Sequence, residues 1–270
     1  RDLVTDPTQP SHDSNVFDRV GKWGLGDLDL SRNGDTIYVV NLFNKTLVEI
    51  PIGNPATTPA SANEIPIPNP DCSVADDWRP YALKYRNGKV YIGGVCSAQT
   101  TQLSSDLQAI IYEYDPSAGT FAEILSFALD YPRAYVLLDL ASKCSDWLPW
   151  TDDWNDVTTP GFTSTCYPQP MLSDIEFDVF GNMMVAFADR AGHQLGWNQY
   201  STISSDDVEY SGNAGGDILR VYNNNGTWLL ERNGVAGTDQ GCGVGSPQGP
   251  CGGEFYCQDA FGSQHQETVH

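Results

Sequence analysis

Basic residues are scarce in this chain: 14 Lys and Arg stand against 35 Asp and Glu among 270 residues, a formal charge of −21. Phosphate backbones and anionic membranes both require basic patches, so nucleic acid and bilayer surfaces are poor partners. No run of about 18 apolar residues occurs, so no segment reads as a membrane-spanning helix. Histidine falls to four residues and no two cysteines form a CxxC pair, which argues against a zinc site. GxSxG, HExxH and a Ser/Cys–His spacing for an activated nucleophile are missing. Helical periodicity is nearly absent. The chain opens on Arg1-Asp2 without a Met or an apolar leader, which reads as a processed or truncated N-terminus.

What is present is strand and turn. Charged residues make up only 18% and aromatics 11%, a composition that builds a core rather than a disordered acidic tail. In GLGDLDLSRNGDTIYVVNLFNKTLVEIPI (24–52), Leu28 and Leu30 alternate with Asp27, Asp29 and Ser31, the period of a half-buried strand. Asn33-Gly34 turns the chain into the β-branched run Thr36–Leu42, and Asn44-Lys45 turns it again. The logic recurs in PYALKYRNGKVYIGGVC around Asn87-Gly88, followed by strands at 109–116 and 120–129. It recurs a third time in SDIEFDVFGNMMVAFADR, where Asp174 falls over Asp27, Glu176 over Asp29 and Gly181 over Gly34. Strands at 217–226 and 227–234 complete that unit.

Serial four-stranded antiparallel meanders are the signature of a β-propeller. The expected fold is therefore all-β, with blades at about 24–67, 79–129 and 171–234, insertions at 139–170 and 191–215, and a partial blade at 235–270. Residues 1–20 read as an approach segment with a short strand near Val16-Phe17. Three blades do not close a ring of four to eight, so further sequence or another chain is expected to complete it.

GKWGLGDLDLSRNGDTIYVVNLFNKTL, RPYALKYRNGKVYIGGVCSA, YPQPMLSDIEFDVFGNMMVAFADRAGHQ, GGDILR and GPCGGEFYCQDAF resemble a propeller region of large bacterial surface proteins. Those proteins often carry serine-aspartate-repeat-type B domains further along. The resemblance covers most of residues 17–267. It implies a secreted or surface-anchored protein, adhesive or structural, with no catalytic residues to carry over. The family has small residues where Cys251 and Cys257 stand, which implies an extra local disulfide here.

Seven cysteines and two Asn-x-Thr acceptors, Asn44 and Asn225, favour an oxidising, extracellular compartment. Cys72–Cys96 and Cys144–Cys166 are the first disulfide choices. Two of Cys242, Cys251 and Cys257 form a third, with Cys242 and Cys251 assigned to it, although spacing alone does not fix connectivity.

Four sites are candidates. Asp27, Asp29, Asp174 and Glu176 would line a central channel if first strands are innermost, where they hold calcium or face a water-filled funnel; an EF-hand is excluded, because its twelfth position falls on Val40. Asp189, Arg190 and His193 are an acid, a base and an imidazole at a strand end, suited to acid–base chemistry or to fixing a loop. Trp147, Trp150 and Trp154 with nearby aspartates either make a sugar-stacking platform or bury the first insertion against the propeller face. An odd cysteine and open strand edges suit self-assembly. The reading is an extracellular structural or adhesion module that meets protein or glycan surfaces or assembles with itself. Its rivals are a lectin and a calcium-dependent propeller enzyme acting on polysaccharide or lactone.

Overall fold

The computed structural model describes residues 10–133, 144–246 and 248–256. Three four-stranded antiparallel sheets follow one another along the chain as propeller blades. The first holds β1 (Leu25–Leu30), β2 (Thr36–Asn41), β3 (Thr46–Pro51) and β4 (Asn63–Pro66). The second holds β5 (Trp78–Arg86), β6 (Lys89–Cys96), β7 (Gln108–Asp115) and β8 (Thr120–Ala128). After the two-residue strand β9 (Ser164–Thr165), the third blade opens with β10 (Pro170–Phe177) and β11 (Met183–Asp189). Small strands β12 (Gln199–Tyr200) and β13 (Glu209–Gly212) interrupt it before β14 (Asp217–Asn224) and β15 (Thr227–Leu230) close it.

The turns explain why these segments pair. Asn87 and Gly88 both take positive φ, at 49° and 84°, the two-residue type I′ geometry that matches strand twist. Asn225 and Gly226 repeat it at 52° and 92°. Each first strand carries a bulge near its start, between Leu25 and Leu28, Pro80 and Ala82, and Leu172 and Asp174. The extra residue bends the strand and re-aims the side chains that follow.

First strands β1, β5 and β10 lie side by side. Gly26 permits this, because a Cβ there would meet the Tyr81 carbonyl at 2.7 Å. Between the first two blades, Tyr38, Val40 and Leu47 pack on Trp78, Leu83, Ile92 and Ile110. Between the second and third, Tyr91, Val95 and Ile111 pack on Leu172, Ile175, Val185 and Phe187.

Several expectations change. Phe17–Arg19 is a 3-10 turn rather than a strand, and Phe17 is buried on Trp154 at 5.7 Å between ring centroids. The expected partial blade is, among the described residues, only the hairpin β16 (Val235–Ala236) and β17 (Asp239–Gln240) with a bridge from Gly243 to Glu254. Its glycines replace the apolar alternation that a full blade requires. Residues 139–143 of the expected insertion and Cys257 lie outside the described residues.

Candidate functional site

The channel acids point where alternation placed them, but toward the neighbouring backbone. Asp27 Oδ2 accepts the Leu83 amide and Asp29 Oδ2 the Tyr85 amide, each at 3.0 Å. Their other oxygens accept the amides of Leu28 and Leu30 at 2.7 and 2.8 Å. Burial raises the Asp27 carboxyl above its ordinary pKa. Lys84 stands 3.6 Å from Asp29 and pairs with Glu176, while Asp174 and Glu176 are themselves exposed. Calcium takes six to eight oxygens, and among the described residues no three His, Cys, Asp or Glu converge on one point. The four acids do not make that shell: two are committed to amides and one to an ammonium.

Asp189, Arg190 and His193 lie within five residues of one another in sequence but do not converge. Asp189 caps the short helix Arg190–Leu195, accepting the Ala191 amide at 2.9 Å and that of Gln169 at 3.0 Å. Burial pushes its carboxyl up to about 6, opposed by Arg133. Arg190 turns inward and His193 outward. Asp189 and Arg190 do not pair with each other. Arg190 instead binds Asp152 Oδ1 and Gln169 Oε1 at 2.8 and 2.7 Å, plus the carbonyls of Val20 and Thr151 at 2.8 Å each. A helical offset sends neighbours to different faces, so no acid–base group assembles.

Trp147, Trp150 and Trp154 are 1, 0 and 5% exposed, so of the two readings offered for them the buried one holds and the stacking platform does not. Trp150 donates its indole N–H to the Pro170 carbonyl at 2.7 Å, and Arg190 lies over its ring at 4.5 Å. Trp147 and Trp150 join the core between the second and third blades, while Trp154 packs with Phe17, Ala191 and Leu195, so the rings bury the insertion against its neighbours.

Disulfides join Cys72 to Cys96 and Cys144 to Cys166. Cys242 is also disulfide-bonded, but Cys251 is a free, exposed thiol, so the Cys242–Cys251 assignment is corrected. Asn44 and Asn225 are exposed at hairpin turns.

A concave feature lies elsewhere, over the junction of the first two blades. A crevice of about 330 Å³ is lined by Lys22, Trp23, Phe43, Lys45, Arg79 and Gln99, with Asp76 at its wall. Two turns build its mouth. Asn41 Oδ1 accepts the amides of Phe43 and Asn44 at 3.1 and 3.2 Å, locking the β2–β3 turn so that Phe43 stands outward. Trp23 ends the turn after Phe17–Arg19, donating its amide to the Arg19 carbonyl at 3.0 Å. The two rings meet with centroids 4.6 Å apart, yet Trp23 is 52% and Phe43 58% exposed. Packing does not account for so much aromatic surface left in water.

Polar groups behind the rings are firmly held. Lys45 pairs with Asp76 at 2.7 Å and Lys22 with Asp152 at 2.5 Å. Arg79 binds the Asp76 carbonyl and Gln99 Oε1, while its Nε faces no acceptor. Burial lowers the pKa of both Lys22 and Arg79. An apolar double ring beside fixed donors and acceptors suits a ligand with one apolar face and many hydroxyls. Sequence reasoning missed it, although an aromatic inside an Asn41–Thr46 turn, where no core face exists, was an available signal.

No family model matches the chain. Colossin-C of Dictyostelium discoideum is 30% identical over 246 residues, 88% of this chain and 22% of that protein. Colossin-A of the same organism is 30% identical over 234 residues, 82% of this chain and 2% of its own length. Colossin-B is 29% identical over 265 residues, 91% and 6%. The luciferin-regenerating enzyme structure aligns over 84% of this chain and 64% of its own, with a TM-score of 0.32 and 13% identity. These matches do not bear on the bacterial surface-protein resemblance. The chain spans under a quarter of each of these relatives, and its likeness is to one region of the colossins.

Proposed function

We propose that this chain is a non-catalytic propeller module of an extracellular or cell-surface protein, and that it adheres through the crevice between its first two blades. The ligand class is saccharide. The exposed Trp23–Phe43 pair carries this reading, because aromatic faces stack on the C–H face of a sugar while neighbouring polar groups take its hydroxyls. Two disulfides, and two exposed acceptors for N-linked glycan at Asn44 and Asn225, suit an oxidising compartment. The raised carboxyls Asp189 and Asp217 are buried, away from any bulky substrate.

The test is a glycan array with neutral and uronate-bearing oligosaccharides, probed with protein made without N-glycosylation so that Asn44 at the rim is bare. Wild-type protein should retain a defined set of glycans, and Trp23→Ala should lose at least tenfold in affinity while its far-UV circular dichroism is unchanged. Each stacked ring is worth on the order of 1 kcal/mol or more. Equal binding by wild type and Trp23→Ala, or none by wild type, would refute the assignment.

A further inference from the structure

We propose that an N-linked glycan on Asn44 folds back onto Phe43 and Trp23 and closes the crevice, an assignment that rests on the saccharide reading of that site. Modification of one residue would then regulate what the crevice takes from outside. A modification signal and a binding surface coincide here. Asn44-Lys45-Thr46 is an acceptor triplet for N-linked glycan. Phe43 before the asparagine and Lys45 after it both line the crevice. Any group carried by Asn44 therefore leaves the protein at the crevice mouth, between two of its walls.

The turn that carries Asn44 is held from several sides. Asn41 Oδ1 accepts the amides of Phe43 and Asn44. Lys45 takes a φ of 55°, a conformation that a lysine keeps only where its surroundings impose it. Its carbonyl accepts the Ile67 amide at 3.1 Å and its ammonium pairs with Asp76 at 2.7 Å. The Asn44 side chain is exposed and donates one Nδ2 hydrogen to Glu64 Oε2 at 3.0 Å. The strand order β1-β2-β3-β4 puts Glu64 on one edge of the sheet and the Trp23 end of β1 on the other.

In the transfer, Asn44 Nδ2 attacks the anomeric carbon of an oligosaccharide carried on a lipid diphosphate. A C–N bond forms, the C–O bond to the diphosphate breaks, the lipid diphosphate departs with the electron pair, and one amide proton is lost. The retained N–H still donates to Glu64, so the sugar takes the side of Asn44 turned away from that carboxylate. Thr46, the third residue of the triplet, is 7% exposed in the folded blade, so transfer takes place before this sheet forms.

One stacked sugar binds weakly, and tethering compensates. A group on a short linker beside its seat has an effective concentration on the order of 1 mM. If the seat has a Kd of about 0.1 mM for that sugar, it is about nine-tenths filled, and an external glycan binds about tenfold more weakly. The half-exposed rings of Trp23 and Phe43 are then covered by sugar rather than by protein. Asn225 supplies an internal control. Its turn joins the third and fourth strands of the third blade, at the opposite end of a meander from a second-to-third-strand turn, and borders no residue of the crevice.

The test compares wild type, Asn44→Gln and Asn225→Gln secreted from a eukaryotic host, with glycan occupancy read by peptide mass and ring exposure by hydroxyl-radical footprinting. Phe43 and Trp23 should be oxidised several-fold more slowly in wild type and Asn225→Gln than in Asn44→Gln. Trp197, 73% exposed, should react equally in all three. Enzymatic removal of the glycan from folded wild type should raise the two rings to the Asn44→Gln rate, which guards against a folding defect in that variant. On the glycan array, both forms glycosylated at Asn44 should bind about tenfold more weakly than Asn44→Gln. An Asn44 that carries no glycan, or rings oxidised at one rate in all forms, overturns the proposal even where Asn44→Gln binds the array. Protected rings with no array binding by Asn44→Gln support the seated glycan and refute the adhesive reading instead.

Discussion

Arg190 holds three separate parts of the chain together, and its replacement by methionine should be among the most damaging single changes. The guanidinium is wholly buried. It donates to Val20 before the first blade, to Thr151 and Asp152 in the insertion, and to Gln169 at the entry to the third blade, all within 2.8 Å. Burial lowers its pKa to about 10, still above neutral pH, and Asp152 supports the charge. Methionine keeps much of the stem packing on Trp150 but leaves five acceptors, the Asp18 carbonyl among them, without the guanidinium donor. Removing one partner of a buried ion pair costs about 3–5 kcal/mol. In a domain of this size about 1 kcal/mol moves Tm by roughly 2–4 °C, so a fall of roughly 10 °C is expected by calorimetry. Arg190→Lys should recover only a minor part, since one ammonium cannot span donors on several sides. A drop under about 2 °C for Arg190→Met would refute the reasoning, because desolvation would then have cancelled what the hydrogen bonds contribute.

The remaining predictions concern pH and crosslinks. Burial raises Asp189 and Asp217 to about 6 and Glu231 to about 7. A raised folded pKa gives stability that is complete below the unfolded carboxyl pKa and is lost as pH rises through the folded value. Tm should therefore be higher at pH 5.5 than at pH 8, and Glu231→Gln should flatten the upper part of that slope; a Tm that climbs with pH across this window would contradict the assignment. Replacing Cys72 and Cys96 together by alanine frees β6 from the loop before β5 and should cost about 2–4 kcal/mol in urea unfolding, whereas Cys251→Ala should change nothing measurable.

Much of the blade order was legible because β structure writes itself in local signals. Asn87-Gly88 and Asn225-Gly226 fix their hairpins by backbone conformation alone, and the Asp27/Asp29 and Asp174/Glu176 rows share their offset from Gly34 and Gly181. The sites were less legible, because their partners are remote. Arg190 finds Asp152 at 38 residues' distance and the Asp18 carbonyl at 172, so its sequence neighbours Asp189 and His193 were a misleading guide. The six-residue helix that separates them is too short to show periodicity. Trp147, Trp150 and Trp154 carry the composition of a platform, yet the same residues are what a loop uses to bury itself. Trp23 and Phe43 lie outside any alternating run, and only their placement beside turns set them apart.

The adhesive reading is tested most directly by the tryptophan indole resonances during titration with a glycan retained on the array. The account predicts that the Trp23 Nε1–H peak shifts in proportion to occupancy while those of buried Trp147, Trp150 and Trp154 stay in place. A titration that moves the buried indoles and leaves Trp23 unchanged would contradict it.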